Sequence, residues 1–203
     1  MEDQMKVLLV GASGIVGRGI DSELSQRHDI IRASRASGDV NVDLTDIASI
    51  RAMFEKVGKV DAVVSATGKV HFGDFAEMDD DKYRIGINDK LMGQVNLVLV
   101  GRDHVADNAS FTLTTGILSK DPIRYGSSAS MVNGAIESFV RAAAIEIKPG
   151  LRINAVSPGV ILEAMEGYAP YFRGHDPVPA ARAALGYAKS VEGLQTGQVF
   201  EIF

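Results

Sequence analysis

Short apolar runs alternate with stretches of helical periodicity almost to the end of the chain. The runs fall near residues 6–10, 29–33, 60–64, 109–114, 151–156 and 197–202, each about as long as a buried strand. Between them, near 14–27, 46–57, 80–101, 126–147 and 178–189, apolar residues recur at the spacing of a helix with one packed face. Over 80–101 the stripe expected to face the sheet is Ile87, Leu91, Val95 and Val98; over 126–147 it is Val132, Ile136, Phe139, Val140 and Ala143. Strand and helix in alternation predict an α/β fold, a single domain with a doubly wound parallel sheet and helices on both faces. Between Ile161 and Pro177 the pattern breaks. Gly167, Pro170, Gly174 and Pro177 predict a loop there with at most one short helix. No repeat, linker or low-complexity segment divides the 203 residues.

Composition narrows the function more than the fold. A net charge of −5, with no cluster of Lys and Arg, argues against a nucleic-acid partner. The chain has no cysteine, which excludes disulfides, thiolate catalysis and Cys-ligated zinc. The opening Met1-Glu2-Asp3-Gln4-Met5-Lys6 is acidic and short, unlike a signal peptide. No apolar run approaches the ~18 residues that span a bilayer. A cytoplasmic protein with no membrane partner is expected.

The first apolar run, Val7-Leu8-Leu9-Val10, leads directly into Gly11-Ala12-Ser13-Gly14-Ile15-Val16-Gly17. Glycine allows a tight turn and a close approach by a ligand. The helix that follows aims unpaired N–H groups and the positive end of its dipole at that point. Gly11, Ser13, Gly14, Ile15, Val16 and Gly17 are therefore expected to hold the pyrophosphate of a dinucleotide. A tight turn without ligand would use the same glycines. The second strand ends in Ser34-Arg35, where an NAD-binding fold places a carboxylate on the ribose 2′-hydroxyl. A hydroxyl and a guanidinium suit a 2′-phosphate instead, so NADP is preferred over NAD. Arg18 reads as solvated surface. Asp43 and Leu44 are expected at the adenine, with the Asp43 carboxylate accepting from its amino group. Thr45 or Asp46 beside them suffices as the cap of the next helix. After the third predicted strand, Ser65-Ala66-Thr67-Gly68 forms a small-residue turn against which a cofactor can lie.

With these pieces in order, the chain resembles the short-chain dehydrogenase/reductase family along nearly its whole length. The glycine turn and Asp43 carry the resemblance, as does Ser65-Ala66-Thr67-Gly68 where that family usually shows N-N-A-G. Asn88 within Ile87–Gly93 adds to it. Arg152-Ile153-Asn154-Ala155-Val156-Ser157-Pro158-Gly159 resembles the family's R-x-N-x-x-x-P-G segment, and Thr196-Gly197-Gln198-Val199 its final strand. The resemblance implies that the backbone of Pro158, Gly159, Val160 and Ile161 meets the nicotinamide carboxamide. It implies a catalytic role for Asn88. It also implies a homodimer or homotetramer built through the helices at 80–101 and 126–147, with the last strand as a second contact. The threonine usual after P-G is replaced by Leu162-Glu163-Ala164-Met165.

The family's catalytic Tyr-x-x-x-Lys is missing. Aligning Ala135–Ala142 with the family's helix puts Ala129 at the tyrosine and Asn133 at the lysine. Alanine donates no proton. Asn133 can bond the nicotinamide ribose but carries no charge. The family serine falls at Thr114-Thr115-Gly116, so Thr115 and Asn88 are the surviving catalytic candidates. For the missing proton two residues offer themselves. Tyr125 lies one helical turn before Ala129 if the helix already includes it, and His71, just past the Gly68 turn, titrates in the useful range. Each has a plainer reading, as a helix-start aromatic and a loop histidine. Tyr168 and Tyr171 fall in the expected substrate loop, whereas Lys69 and Lys120 read as solvated. The leading expectation is an NADP(H) oxidoreductase acting on a small carbonyl or activated alkene. The alternative is a non-catalytic NADP(H)-binding redox sensor.

Overall fold

The structure, a computed structural model, describes residues 4–203; Met1-Glu2-Asp3 lie outside the described residues. Its strands are β1 (Lys6–Val10), β2 (Asp29–Ser34), β3 (Val40–Asn41), β4 (Val60–Ser65), β5 (Val105–Thr114), β6 (Arg152–Pro158) and β7 (Val199–Ile202). All pair in parallel, in the order β3-β2-β1-β4-β5-β6-β7. The direction of winding reverses between β1 and β4. In such a sheet the crevice at the carboxyl ends of the strands on either side of the reversal is where a ligand fits.

The pleat sends alternate residues to opposite faces. Val7, Leu9, Ala62 and Val64 pack with Ile20 and Leu24 of α1 (Ile15–Leu24) and with Ala184, Tyr187 and Val191 of α7 (Ala180–Glu192). On the other face, Leu8, Val10, Val63, Phe111 and Leu113 meet three helices. These are α2 (Ile47–Val57) through Ile50, Met53 and Phe54, α4 (Met92–Gly101) through Leu97 and Val98, and α5 (Ser127–Glu146) through Ile136 and Val140. Both faces are covered, which is why the strands read as continuous apolar runs. Two buried polar groups of the sheet find partners on α7. The Thr114 hydroxyl lies 2.7 Å from the Tyr187 hydroxyl, and Thr112 lies 2.7 Å from Ser190.

Three departures from the periodicity matter. The two-residue strand β3 is too short to register in the pattern, and β5 starts at Val105, earlier than expected, next to a register shift between Val60 and Ala62. The expected helix at 80–101 is three pieces: α3 (Asp80–Gly86), a π-turn over Ile87–Leu91, and α4. The π-turn inserts a residue into the helical repeat. Gly86, Gly93, Gln94, Leu97, Val98 and Gly101 are consequently the buried face, whereas Ile87, Leu91 and Val95 are only half-buried. Gln94 anchors this arrangement. Its Nε2 donates to the Lys90 carbonyl (3.1 Å) and the Thr114 carbonyl (2.9 Å), and its Oε1 accepts from Thr114 N–H (2.8 Å). Finally, α5 begins at Ser127, so Tyr125 precedes it in a left-handed conformation, φ 69°. The loop after β6 holds a 3-10 turn at Leu162–Ala164 and one short helix, α6 (Met165–Tyr168), as its glycines and prolines suggest. Among the described residues no helix is long and apolar enough to cross a membrane.

Candidate active site

Two connected hollows occupy the carboxyl edge of the sheet. The first is a groove of about 540 Å³ at the winding reversal. Its floor is the end of β1 and the Gly11–Gly14 turn. Ser34, Arg35, Val42 and Leu44 close one end, and Ala66, Thr67 and Gly68 line the other. Gly11 adopts φ 88°, and a Cβ there would stand 2.5 Å from the Ala66 carbonyl oxygen. Only glycine lets the β1 turn lie against the β4 turn in this way. Gly14 is the N-cap of α1 in an extended conformation with no side-chain cap, so the first N–H groups of the helix face the groove without carbonyl partners of their own helix. A helix start of this kind suits an anion.

The second hollow, about 220 Å³, lies over the ends of β5 and β6. Thr115, Gly116, Ala129, Asn133 and the backbone of Pro158–Ile161 line it, with Val70, Phe72, Leu118 and Phe172 as apolar walls. Gly68, Val70, Phe72 and Tyr168 border both hollows, so groove and cavity form one continuous channel.

The structure distributes the expected residues unevenly. Ser13, Gly14, Ser34, Arg35, Leu44, Ala66, Thr67 and Gly68 line the groove together. Val16 and Gly17 do not; Val16 packs on the core, and Gly17 fits under the Gly11 carbonyl. Ile15 contributes its place at the helix start, while its side chain packs toward α7. Arg18 donates to the Ser13 carbonyl at 2.6 Å from an exposed position. Ser65 is buried behind the groove, its hydroxyl 2.7 Å from that of Thr67, so it supports the lining rather than forming it. The Asp43 carboxylate is outside the groove as well. It accepts from the Thr45 N–H and hydroxyl at 2.9 and 2.8 Å, and those two bonds, with Arg35 beyond, hold its pKa below the usual carboxylate range. The cap of α2 is Asp46, which accepts from Ala48 N–H at 2.9 Å.

Arg35 reaches across the groove mouth. Its guanidinium donates to Asp89 Oδ2 at 2.6 Å and stands 3.9 Å from Asp43. Asp89 Oδ1 accepts from the Lys69 N–H at 2.7 Å, tying the β4 loop to the π-turn. Neither the role of Asp89 nor that of Val42 was legible in the sequence.

In the cavity the corrections are larger. Thr115 is buried, and its hydroxyl donates inward to the Asn133 carbonyl (3.0 Å) and Glu137 Oε1 (3.2 Å). Asn88 is exposed and lines neither hollow, because the π-turn rotates it away from the sheet. His71 lies folded against Gly73, outside both hollows. Tyr125 belongs to a separate hollow with Gly73, Asp74, Phe75 and Ile123, its ring 6.0 Å from that of Tyr171 and under the Arg124 guanidinium. Asn133 does face the cavity. Its Nδ2 donates to the Gly116 carbonyl at 3.3 Å, and its Oδ1 is buried with no partner.

Two residues escaped the sequence reading. Glu137 is a buried carboxylate one turn beyond Asn133, accepting from the hydroxyls of Thr115 and Ser119 (2.5 Å) and from Arg141 (3.5 Å). Lys90 enters the cavity from the π-turn. Its Nζ donates to the Thr115 carbonyl at 3.2 Å, and burial lowers its pKa to about 8. The small and polar stripe Gly86, Gly93, Gln94, Gly101 was the available signal that this face is the closely packed one.

Comparison with known proteins agrees with this architecture. A family model described as Enoyl-(Acyl carrier protein) reductase matches residues 13–196. The crystal structure of the protein lin1944 from Listeria innocua is 50% identical and superposes with a TM-score of 0.96, covering 98% of this chain and 100% of that one. A small-chain dehydrogenase solved in complex with NADPH is 26% identical, with a TM-score of 0.87 over 98% of this chain and 97% of its own. The oxidoreductase UcpA of Escherichia coli (strain K12) is 27% identical over 179 residues, 83% of this chain and 67% of that protein. The glycine turn at the winding reversal, the channel along the sheet edge and a match over most of the length lead to one conclusion: the chain belongs to the short-chain dehydrogenase/reductase family.

Proposed function

We propose that the protein is an NADP(H)-dependent oxidoreductase that reduces a small carbonyl or activated alkene. The observation that carries this reading is the channel itself: an anion-binding helix start at one end, a guanidinium beside it, and an apolar cavity of about 220 Å³ at the other. The residues fit a dinucleotide. Gly11 leaves the turn bare where a Cβ would fill it, and Asn133 Oδ1 waits in the cavity wall without a donor. The turn at Gly11–Gly14 and the first N–H groups of α1 would hold the pyrophosphate. Arg35 would take the 2′-phosphate, exchanging the Asp89 carboxylate for it. Val42 and Leu44 would flank the adenine. Asn133 would bond the nicotinamide ribose, and the backbone of Pro158–Ile161 the carboxamide.

Bound NADPH supplies the reducing hydride; the remaining work falls to the chain. The apolar walls Val70, Phe72, Leu118 and Phe172 exclude water from the reacting carbon. Thr115 and Glu137 stiffen the floor by bonding to each other and to α5. By the family alignment, Ala129 stands where the usual phenol would be and Asn133 where the usual ammonium would be. A second reading, a redox sensor that binds NADP(H) without turnover, draws on the alanine at that position. Assembly as a homodimer or homotetramer through α4 and α5 is part of this proposal, since Met92, Leu99, Met131 and Ile145 are exposed there; light scattering after gel filtration measures it.

The test is NADPH binding followed by its absorbance while the protein meets aldehydes, ketones, quinones and enones. Substrate-dependent loss of the reduced band supports the oxidoreductase. Tight binding with no consumption across the panel favours the sensor, and no binding of either nicotinamide nucleotide refutes both.

A further inference from the structure

The reduction just proposed needs a proton, and none of the residues nominated from the sequence delivers one. Ala129 has no acidic group. Tyr125 and His71 line neither hollow, and the Thr115 hydroxyl is turned inward. Asn133 holds its amide hydrogens too tightly to serve as an acid. Among the described residues that line the cavity, one cation is present: Lys90.

Its position is held from several sides. The π-turn brings Lys90 to the sheet side in place of Asn88, and Gln94 pins the Lys90 carbonyl. The aliphatic stem lies across Gly68, where an added Cβ would stand 2.2 Å from Lys90 Cγ. With φ 134°, Gly68 is both the backbone and the space this lysine requires. One N–H of the ammonium goes to the Thr115 carbonyl at 3.2 Å, which leaves two donors for the cavity.

The ionisable neighbours are engaged elsewhere. Asp89, adjacent in sequence, turns to Arg35 and the Lys69 N–H. Glu137 on α5 is taken by Thr115, Ser119 and Arg141. Tyr168 borders the cavity from α6, stacked edge-on between Phe72 and Phe172. No ion pair to Lys90 exists among the described residues. Lys90 is half-buried in the cavity wall, where an ammonium without a counter-charge is costly to keep, and loss of hydration is the cause of its depressed pKa of about 8.

We propose that Lys90 is the proton donor of this active site, supplying from the π-turn what the family's tyrosine and lysine supply from α5. The inference rests on the oxidoreductase reading above. As the carbonyl carbon accepts the hydride of NADPH, the C=O π pair moves onto oxygen. That oxygen forms an O–H bond with a proton from Lys90 Nζ, whose N–H bond breaks. The neutral amine then regains a proton from water through the open side of the cavity. The sum is carbonyl, NADPH and one proton giving alcohol and NADP+.

Lys90→Met keeps the length of the chain and removes the acid; Lys90→Arg keeps the charge but cannot release a proton near neutrality. Lysine side chains labelled with 13C at Cε are followed by NMR against pH, and the Lys90 signal is assigned by its loss in Lys90→Met. One lysine titrating near pH 8 is expected, well below the others. Both variants are expected to bind NADPH within about threefold of the parent, yet to lose about 10²–10⁴ in turnover, the usual contribution of a general acid. A fall in turnover above pH 8 should disappear with them. A Lys90 that titrates with the surface lysines overturns the proposal alone. So does Lys90→Met or Lys90→Arg with parental turnover, or a comparable loss seen only in Tyr168→Phe. A parent protein that fails to bind NADPH, or binds it and reduces nothing, overturns the oxidoreductase reading and this proposal together.

Discussion

The groove over β1 and β4 and the cavity over β5 and β6 share one sheet edge but are built from different materials. The groove is backbone: a glycine turn, a helix start, and small residues that keep side chains out of the way. The cavity is side chain: Lys90 from the π-turn, Thr115 from the end of β5 and Asn133 from α5 line it, with Glu137 bonded to Thr115 behind them. A backbone site survives most substitutions as long as its glycines remain. A side-chain site can lose its usual members and be refurnished from a neighbouring helix, which is how an alanine can stand at position 129 without emptying the cavity of ionisable groups.

That contrast can be broken by mutation. The largest effect belongs to Gly11→Val. A β-branched residue at φ 88°, with its Cβ 2.5 Å from the Ala66 carbonyl oxygen, must move one of the two turns. Strain of about 1–3 kcal/mol and the displaced amides should cost about 10²-fold in NADPH affinity, measured by fluorescence titration. No cavity variant should come close to that loss. If Lys90→Met weakened NADPH as much as Gly11→Val, the division between the two regions would be wrong.

Next in size, Arg35→Asp should reverse the charge presented to a 2′-phosphate. About ten- to hundredfold weaker NADPH binding is expected, with NADH nearly unaffected. Equal losses for both nucleotides would mean that Arg35 serves only its bond to Asp89.

Thr115→Val sharpens the cavity side. It removes a donor from buried Glu137, and a buried acceptor left short costs about 1–3 kcal/mol. Chemical denaturation should register that loss. A fall in turnover with stability intact would instead put the Thr115 hydroxyl on the substrate.

The smallest effect is the most diagnostic. Burial lowers the Lys90 pKa from 10.5 to about 8, so below pH 8 the folded protein carries an ammonium it would rather expose. Lys90→Met should therefore be more stable than the parent at pH 7, by about 1–2 kcal/mol once partial exposure is allowed for. Between pH 8 and 10.5 the unfolded chain binds more protons at this residue than the folded one, so the parent gains stability as pH rises and the difference narrows. Greater stability bought with lost turnover is the signature of a functional buried charge. Denaturation midpoints at pH 7 and pH 10 would show whether the gap closes.

Much of this molecule was readable along the chain because its causes are local. Apolar runs and helical stripes follow from covering both faces of a parallel sheet, and a strand–glycine–helix junction is spelled out in consecutive residues. Gly11, Ser13, Gly14, Ser34, Arg35, Leu44, Ala66, Thr67 and Gly68 were accordingly legible as one lining, and Asn133 with Pro158–Ile161 as another. What the chain alone left undecided was which way side chains face once distant elements meet. Gln94 bonds to Thr114 of β5, a π-turn forms, and one inserted residue exchanges Asn88 for Lys90 at the cavity. Tyr125 stays outside α5, and Arg35 finds Asp89 across 54 positions of sequence. Periodicity assumes an uninterrupted repeat, and a helix changes its repeat for a partner that lies elsewhere in the chain. The groove was thus written in neighbouring residues, while the identity of the charge in the cavity depended on contacts that exist only after folding.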